Sequence, residues 1–96
     1  MEIKFDFKGV RKCLVDHDGI TLTVLRLIVE EEYRRQGVGT KALDTLKLYA
    51  KQKHLRTIRL IAEPETEEVR DDLIRFYRRN GFHFVPGDNE TMYCHP

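Results

Sequence analysis

The feature that most constrains this chain is a strand that runs into a polar turn, with the turn opening a helix. The stretch is Leu27-Ile28-Val29-Glu30-Glu31-Glu32-Tyr33-Arg34-Arg35-Gln36-Gly37-Val38-Gly39-Thr40. Aliphatic and β-branched residues up to Val29 spell a strand, and Val38, Ala42, Leu46, Tyr49 and Ala50 then recur at helical spacing. Gly37 and Gly39 let the backbone approach a ligand with no Cβ in the way. The unbonded N–H groups of the first helical turn converge on one spot, and the helix dipole adds positive potential there. Such a place suits an anion, best a phosphate or pyrophosphate. Arg34 and Arg35 stand beside it to pair with the phosphate oxygens.

The rest of the chain supplies a sheet for this loop to sit on. Ile3, Phe5 and Phe7 alternate with polar residues over 2–7, which predicts a half-buried strand. Residues 11–17 predict a second strand, Asp18-Gly19 a two-residue hairpin turn, and Ile20 to Val29 a third strand. The helix runs from about Gly37 to Lys53 and is followed by a strand from Thr57 to Ala62. Pro64 breaks that strand, and Thr66 followed by Glu67 and Glu68 predicts a second helix start. Val69, Leu73, Phe76 and Tyr77 form its apolar stripe, and Gly81 ends it after Asn80. Phe82 to Val85 and Thr91 to Cys94 are short strands around the turn Pro86-Gly87-Asp88-Asn89. The order is βββαβαββ, an α+β fold around a mixed sheet.

With 96 residues this is one domain, residues 1–96. No stretch approaches the ~20 apolar residues of a spanning helix. The start, Met1-Glu2-Ile3-Lys4-Phe5-Asp6, lacks the apolar core of a signal peptide, so a cytoplasmic location is expected. Cys13 and Cys94 are then expected to be reduced, small, buried side chains. They and the four histidines show no metal-ligand spacing, so no metal is expected.

The net charge of +1 conceals an uneven layout. Residues 33–60 carry eight Lys/Arg against Asp44, a local +7, and residues 61–72 carry six acids against Arg70, a local −5. A polyphosphate suits the first segment and a cationic group the second. A nucleic-acid partner is not expected. Lys47, Lys51 and His54 share one helix face, but the aromatic in this run, Tyr49, has core spacing.

Gly37-Val38-Gly39-Thr40-Lys41-Ala42 also fits the dinucleotide fingerprint G-x-G-x-x-A, with Glu63 at a strand end about twenty residues on. Three things oppose that assignment. The preceding strand belongs to an antiparallel meander, Glu30 to Gln36 separate it from Gly37, and the chain is too short for a second nucleotide-binding half.

The residues resemble another family more closely. Arg34-Arg35-Gln36-Gly37-Val38-Gly39 is similar to the R/Q-x-x-G-x-G/A motif of the GNAT superfamily, the Gcn5-related N-acyltransferases, and Leu27-x-Val29-x-x-Glu32-Tyr33 resembles its lead-in. Phe76-Tyr77-Arg78-Arg79-Asn80-Gly81-Phe82 resembles the same family's FYxxxGF helix end. The likeness covers roughly residues 20–94. It implies a mixed sheet splayed like a V, with acetyl-CoA in the cleft as donor and an amine as acceptor. It also implies that backbone N–H groups from Gln36 to Thr40, Val38 among them, meet the pyrophosphate. Backbone of Leu27 and Val29 would pair with pantetheine, and the Val29 amide would hold the thioester oxygen. Tyr77 takes the place of the general acid that protonates the departing thiolate.

Two departures follow from the same resemblance. Full-length members carry two helices between their first strands, whereas Phe7 to Arg11 joins them directly here. The acceptor site would then be open, completed by a second subunit in a homodimer, or built around a macromolecule. Thr23 stands where some histone-acetylating members carry a catalytic Glu, which leaves Glu30 and Glu63 as candidate bases. The expected acceptor is a protein lysine or another cationic amine. The alternatives are an inactive CoA-binding or partner-binding module and an anti-defence acetyltransferase, because the compact architecture also resembles small GNAT proteins of phages and mobile elements.

Overall fold

The computed structural model describes residues 2–33, 36–62, 70–88 and 90–96, and of Glu31 the backbone alone. Three strands come first: β1 (Glu2–Lys4), β2 (Val10–His17) and β3 (Thr21–Val29). A 3-10 turn (Glu31–Tyr33) leads to α1 (Val38–Gln52), then β4 (Thr57–Ile61), α2 (Arg70–Arg79), β5 (His83–Phe84) and β6 (Thr91–Cys94). This is the expected βββαβαββ order. The predicted start of α2 at Thr66 to Glu68, its stripe residue Val69 and the strand breaker Pro64 lie outside the described residues.

All six strands form one sheet in the order β1-β2-β3-β4-β6-β5. Only β3 and β4 run parallel, because α1 crosses over between them; every other pair is antiparallel. The hairpin between β2 and β3 turns one residue later than expected. Asp18 N–H donates to the Thr21 carbonyl at 3.3 Å, so Gly19 and Ile20 are the two turn residues. Gly19 takes φ +92°, which the first position of a II′ turn demands. Asp18 closes the turn instead of occupying it: its Oδ1 accepts the N–H groups of Ile20 (2.9 Å) and Thr21 (2.8 Å). β1 is also shorter than expected. Its burial alternates through Phe7, but the strand ends at Lys4, one further bond runs from the Phe5 N–H to the Cys13 carbonyl (2.9 Å), and the chain turns at Phe7, whose carbonyl accepts the Val10 N–H at 3.1 Å.

One layer of helix covers one face of the sheet. α1 turns Leu43, Leu46 and Ala50 onto Leu22 and Val24 of β3, Ile58 and Leu60 of β4, Met92 of β6, and Cys13 and Val15 of β2, and Ala42 is buried as well. A 15-residue helix is marginal alone, whereas each fully buried leucine adds roughly 1.5–3 kcal/mol, so this layer holds α1 in place. α2 lies beside α1 on the same face and sends Tyr77 and the following Phe82 into the core. Gly81, at φ +91°, ends it, and Phe82 N–H returns to the Tyr77 carbonyl at 3.0 Å. By strand alternation Thr21 and Thr23 of β3 and Thr57 and Arg59 of β4 stand on the opposite face, which no described helix covers.

Candidate active site

The site begins with a fault in the sheet. Residues pair from β2 to β3 in one register up to Val15–Val24 and in another from Leu14–Arg26 onward, so Leu25 is an inserted residue. A bulge bends and twists its strand. The parallel pairing of β3 with β4 stops at Val24–Leu60, immediately before that insertion. β3 continues to Val29 beside β2, and the sheet forks between β3 and β4. A second shift, at Arg11, lies opposite the far end of β3. The N–H of Glu30 donates to the Gly9 carbonyl on the β2 side at 2.9 Å. Peptide groups alternate along a strand, so those of Val29 and Leu27 turn toward the fork.

The helix beyond the fork starts without a cap. Gly37 is its N-cap, in left-handed conformation with φ 78°, and among the described residues no side chain caps the turn or places an acid in it. The helical ladder starts with Lys41 N–H on the Gly37 carbonyl at 3.0 Å. The N–H groups ahead of Lys41 therefore have no carbonyl partner in the helical ladder, the arrangement that suits an anion at a helix start. Gln36 folds back, its Nε2 donating to the Glu32 carbonyl at 2.8 Å.

The two glycines of the loop do different work. Gly37 is there for its backbone angle, with nothing within 4 Å of where a Cβ would sit. Gly39 is buried under the second helix, and a Cβ on it would come 2.8 Å from Cζ of Phe76. The missing side chain of Gly39 thus makes room for α2, a packing reason beside the expected ligand approach. The joint is tied twice more. Asn80 Nδ2 donates to the Phe76 carbonyl at 2.9 Å and to Thr40 Oγ1 at 3.5 Å, and Lys47 Nζ donates to the Asn80 carbonyl.

Tyr77 is 7% exposed, with its ring 5.3 Å from Phe76 and 5.8 Å from Phe82. Burial first, and the Cys13 thiol second, push the phenol up to about 12. Cys13 is the register partner of Leu27, so Tyr77 sits on the helix side near the level where β3 has left β4. Glu30 is exposed at the end of β3, one residue past Val29. Arg34, Arg35 and Glu63, three of the expected site residues, lie outside the described residues. Cys13 and Cys94 are free and buried, and burial raises the Cys13 thiol to about 11.

Two features escaped the sequence. The bulge had a signal, since Leu25-Arg26-Leu27 breaks the alternation kept by Thr21 to Val24. The other is a depression of about 270 Å³ on the uncovered face, lined by Asp18, Thr21, Thr23, Thr57, Arg59, Val85 and Tyr93. Its signal was the polar alternate positions in Thr21-Leu22-Thr23 and Thr57-Ile58-Arg59. Among the described residues no cluster of three or more His, Cys, Asp or Glu could hold a metal, and no helix is long and apolar enough to cross a membrane.

The chain thus has a mixed sheet that forks between β3 and β4, with the crossover helix α1 starting past the end of β3. Comparison with known proteins identifies which kind of domain this is. The family model of the acetyltransferase (GNAT) domain matches residues 7–84, and the chain belongs to that family of acyl-CoA-dependent N-acetyltransferases. Among solved structures, the anti-CRISPR protein AcrVA5 superposes with a TM-score of 0.81 at 27% identity, covering 96% of each chain. The PaiA N-acetyltransferase of Thermoplasma acidophilum, in complex with coenzyme A, gives 0.73 at 21% identity over 88% of this chain and 52% of its own. A GNAT acetyltransferase of Elizabethkingia anophelis with acetyl-CoA bound gives 0.72 at 15% identity over 88% of this chain and 67% of its own. The search of curated proteins found no match.

Proposed function

We propose that this chain transfers the acetyl group of acetyl-CoA to a primary amine, a protein lysine or another cationic amine, by direct attack in a ternary complex. The observation that carries this reading is the fork between β3 and β4 opening onto the uncapped start of α1. The N–H groups from Gln36 to Thr40 take the pyrophosphate, with Arg34 and Arg35 beside them. Pantetheine lies along β3 as an added strand against the peptide groups of Leu27 and Val29. A fixed amide at Val29 holds the thioester oxygen as negative charge grows on it, a large contribution when the donor is already oriented.

The amine nitrogen attacks the thioester carbon, the C–S bond breaks, and sulfur leaves as thiolate. A phenol at about 12 keeps its proton more tightly than an ordinary thiol, whose pKa is ~8.5. Tyr77 therefore offers sulfur a hydrogen bond as charge builds. A proton it does pass on is replaced through water from the nitrogen, which sheds one on becoming an amide. Glu30, Glu63 or water accepts the proton the amine must lose before attack, a step worth ~10²-fold or more when a base is placed for it.

The test is incubation with acetyl-CoA and a panel of lysine peptides and polyamines, with free thiol release and product mass as readouts. Acetylated product with one thiol released per acetyl supports the reading. Acetyl-CoA binding with no acetylated amine in the panel or in a cell lysate would convert the chain into a CoA-binding module. A second reading, an anti-defence enzyme acting on a protein lysine, is compatible with the mutual 96% coverage with the anti-CRISPR protein.

A further inference from the structure

The depression on the uncovered face lies beside the root of the fork. Thr23 and Arg59 face each other across the parallel pairing, one step before the last pair, Val24–Leu60. Tyr93 pairs with Arg59 from the other side, and Thr21 and Thr57, two steps down, form the next pair on this face. Their side chains make a floor of hydroxyls around one guanidinium. Asp18 is at the rim, with Oδ1 bound to the Ile20 and Thr21 N–H groups. Arg59 acts on Asp18 through space, and no described carboxylate forms an ion pair with it. Val85 is the sole apolar side chain of the lining.

Asp18 spends its Oδ1 on two backbone N–H groups, and among the described residues Arg59 has no direct ion-pair partner; hydroxyls around such an Arg match an anionic group with planar acceptors, which is a carboxylate. The distance to the fork sets where the rest of the ligand goes. The fork opens about two residues beyond Arg59, which is roughly 7 Å along a strand at ~3.3 Å per residue. An extended lysine places its amine roughly 7 Å from its carboxylate carbon, over six bonds of about 1.5 Å.

We infer that this depression recognises a carboxylate on the acceptor, and that the acceptor is a primary amine carrying that carboxylate at lysine-like span. The inference rests on the acetyltransferase reading above and narrows its substrate. The amine enters the fork from the uncovered face, and Arg59 holds the carboxylate while Thr23, Thr57 and Tyr93 supply further hydrogen bonds. A polyamine, which brings only positive charge to Arg59, and an internal protein lysine, whose carboxyl carbon is a neutral peptide group, are both disfavoured at this position.

Nα-acetyl-lysine and Nα-acetyl-lysinamide differ in the carboxylate alone and are the probes. Each is titrated by NMR into the protein saturated with acetyl-CoA, and each is assayed for transfer. The acid is expected to bind about fivefold tighter or better, with a similar advantage in kcat/KM, since a charge-assisted pair at an exposed site keeps part of its strength. Arg59→Gln is expected to erase the difference while leaving acetyl-CoA affinity and the melting temperature unchanged. Equal binding of the two probes, tighter binding of the amide, or a preference that survives Arg59→Gln overturns the inference. The first two of these, with acetyl-CoA still bound and transferred, point to an internal protein lysine or a polyamine and leave the acetyltransferase reading standing. Failure to bind acetyl-CoA at all overturns both.

Discussion

Replacing Gly39 by alanine sets two opposing effects on one atom. The new Cβ would stand 2.8 Å from Cζ of Phe76, well inside the ~3.5–4.0 Å of a comfortable carbon contact. Overpacking of this kind typically costs ~1–3 kcal/mol, and Phe76 is half-buried, so its ring tip can swing outward and the lower half of that range applies. Alanine recovers up to about 1 kcal/mol over glycine in a helix, and less in the first turn. The balance is a loss of about 0.5–2 kcal/mol. For a chain of this length each kcal/mol shifts the melting temperature by roughly 4–8 °C, so circular dichroism should show a fall of several degrees. The double variant Gly39→Ala, Phe76→Leu should recover most of the loss, because the clash is with the ring. A single variant that melts at or above the wild-type temperature would refute the packing argument. A double variant with restored stability and acetyl-CoA affinity still reduced tenfold would show that Gly39 also clears space for the ligand.

Three other outcomes follow from the same geometry. Tyr77→Phe keeps the ring packing and removes the hydroxyl, so transfer should slow by ~10²-fold with acetyl-CoA affinity unchanged; an equal loss of both would remove Tyr77 from the chemistry. Gly9→Ala should raise KM for acetyl-CoA more than it lowers kcat, because a Cβ there would come 2.8 Å from the Tyr33 ring that leads into the phosphate loop, at φ +84°; unchanged KM would separate that contact from the loop. Stability should fall as pH rises from about 9 to 12, because burial raises Cys13 from 9.0 to about 11 and Tyr77 from 10.0 to about 12. Both groups are favoured neutral in the fold. Their contribution is complete below the unfolded values and lost through the folded ones, up to about 1.4 kcal/mol per unit. A flat urea midpoint across that window would contradict the burial of both groups.

Most of the architecture was legible because periodicity reports burial. The β-branched alternation of Thr21 to Val24 and the 3.6-residue spacing of Ala42, Leu46 and Ala50 each record a face packed on the core. Less was legible where geometry depends on pairing across strands. The hairpin turn shifted by one residue because Asp18 is worth more as an acceptor for two N–H groups than as a turn residue. The fork depends on Leu25 lacking a place in the β2 register; the broken alternation at Leu25-Arg26-Leu27 marks an irregularity there, but not which strand β3 leaves. At Gly39 the sequence shows the absence of a side chain but not the neighbour that requires it, here Phe76 from a different helix. The depression around Arg59 went unnoticed for a similar reason: its residues come from three strands and the rim of a fourth, and they meet only in the folded sheet.

The central claim is that the fork and the start of α1 together hold acetyl-CoA. Amide chemical-shift mapping during a titration with acetyl-CoA tests it directly. The account predicts saturable binding between about 1 μM and 1 mM, with the largest shifts at Leu27, Val29 and Gly37 through Thr40. No binding at millimolar ligand, or shifts confined to the lysine face of α1 around Lys47 and Lys51, would contradict it.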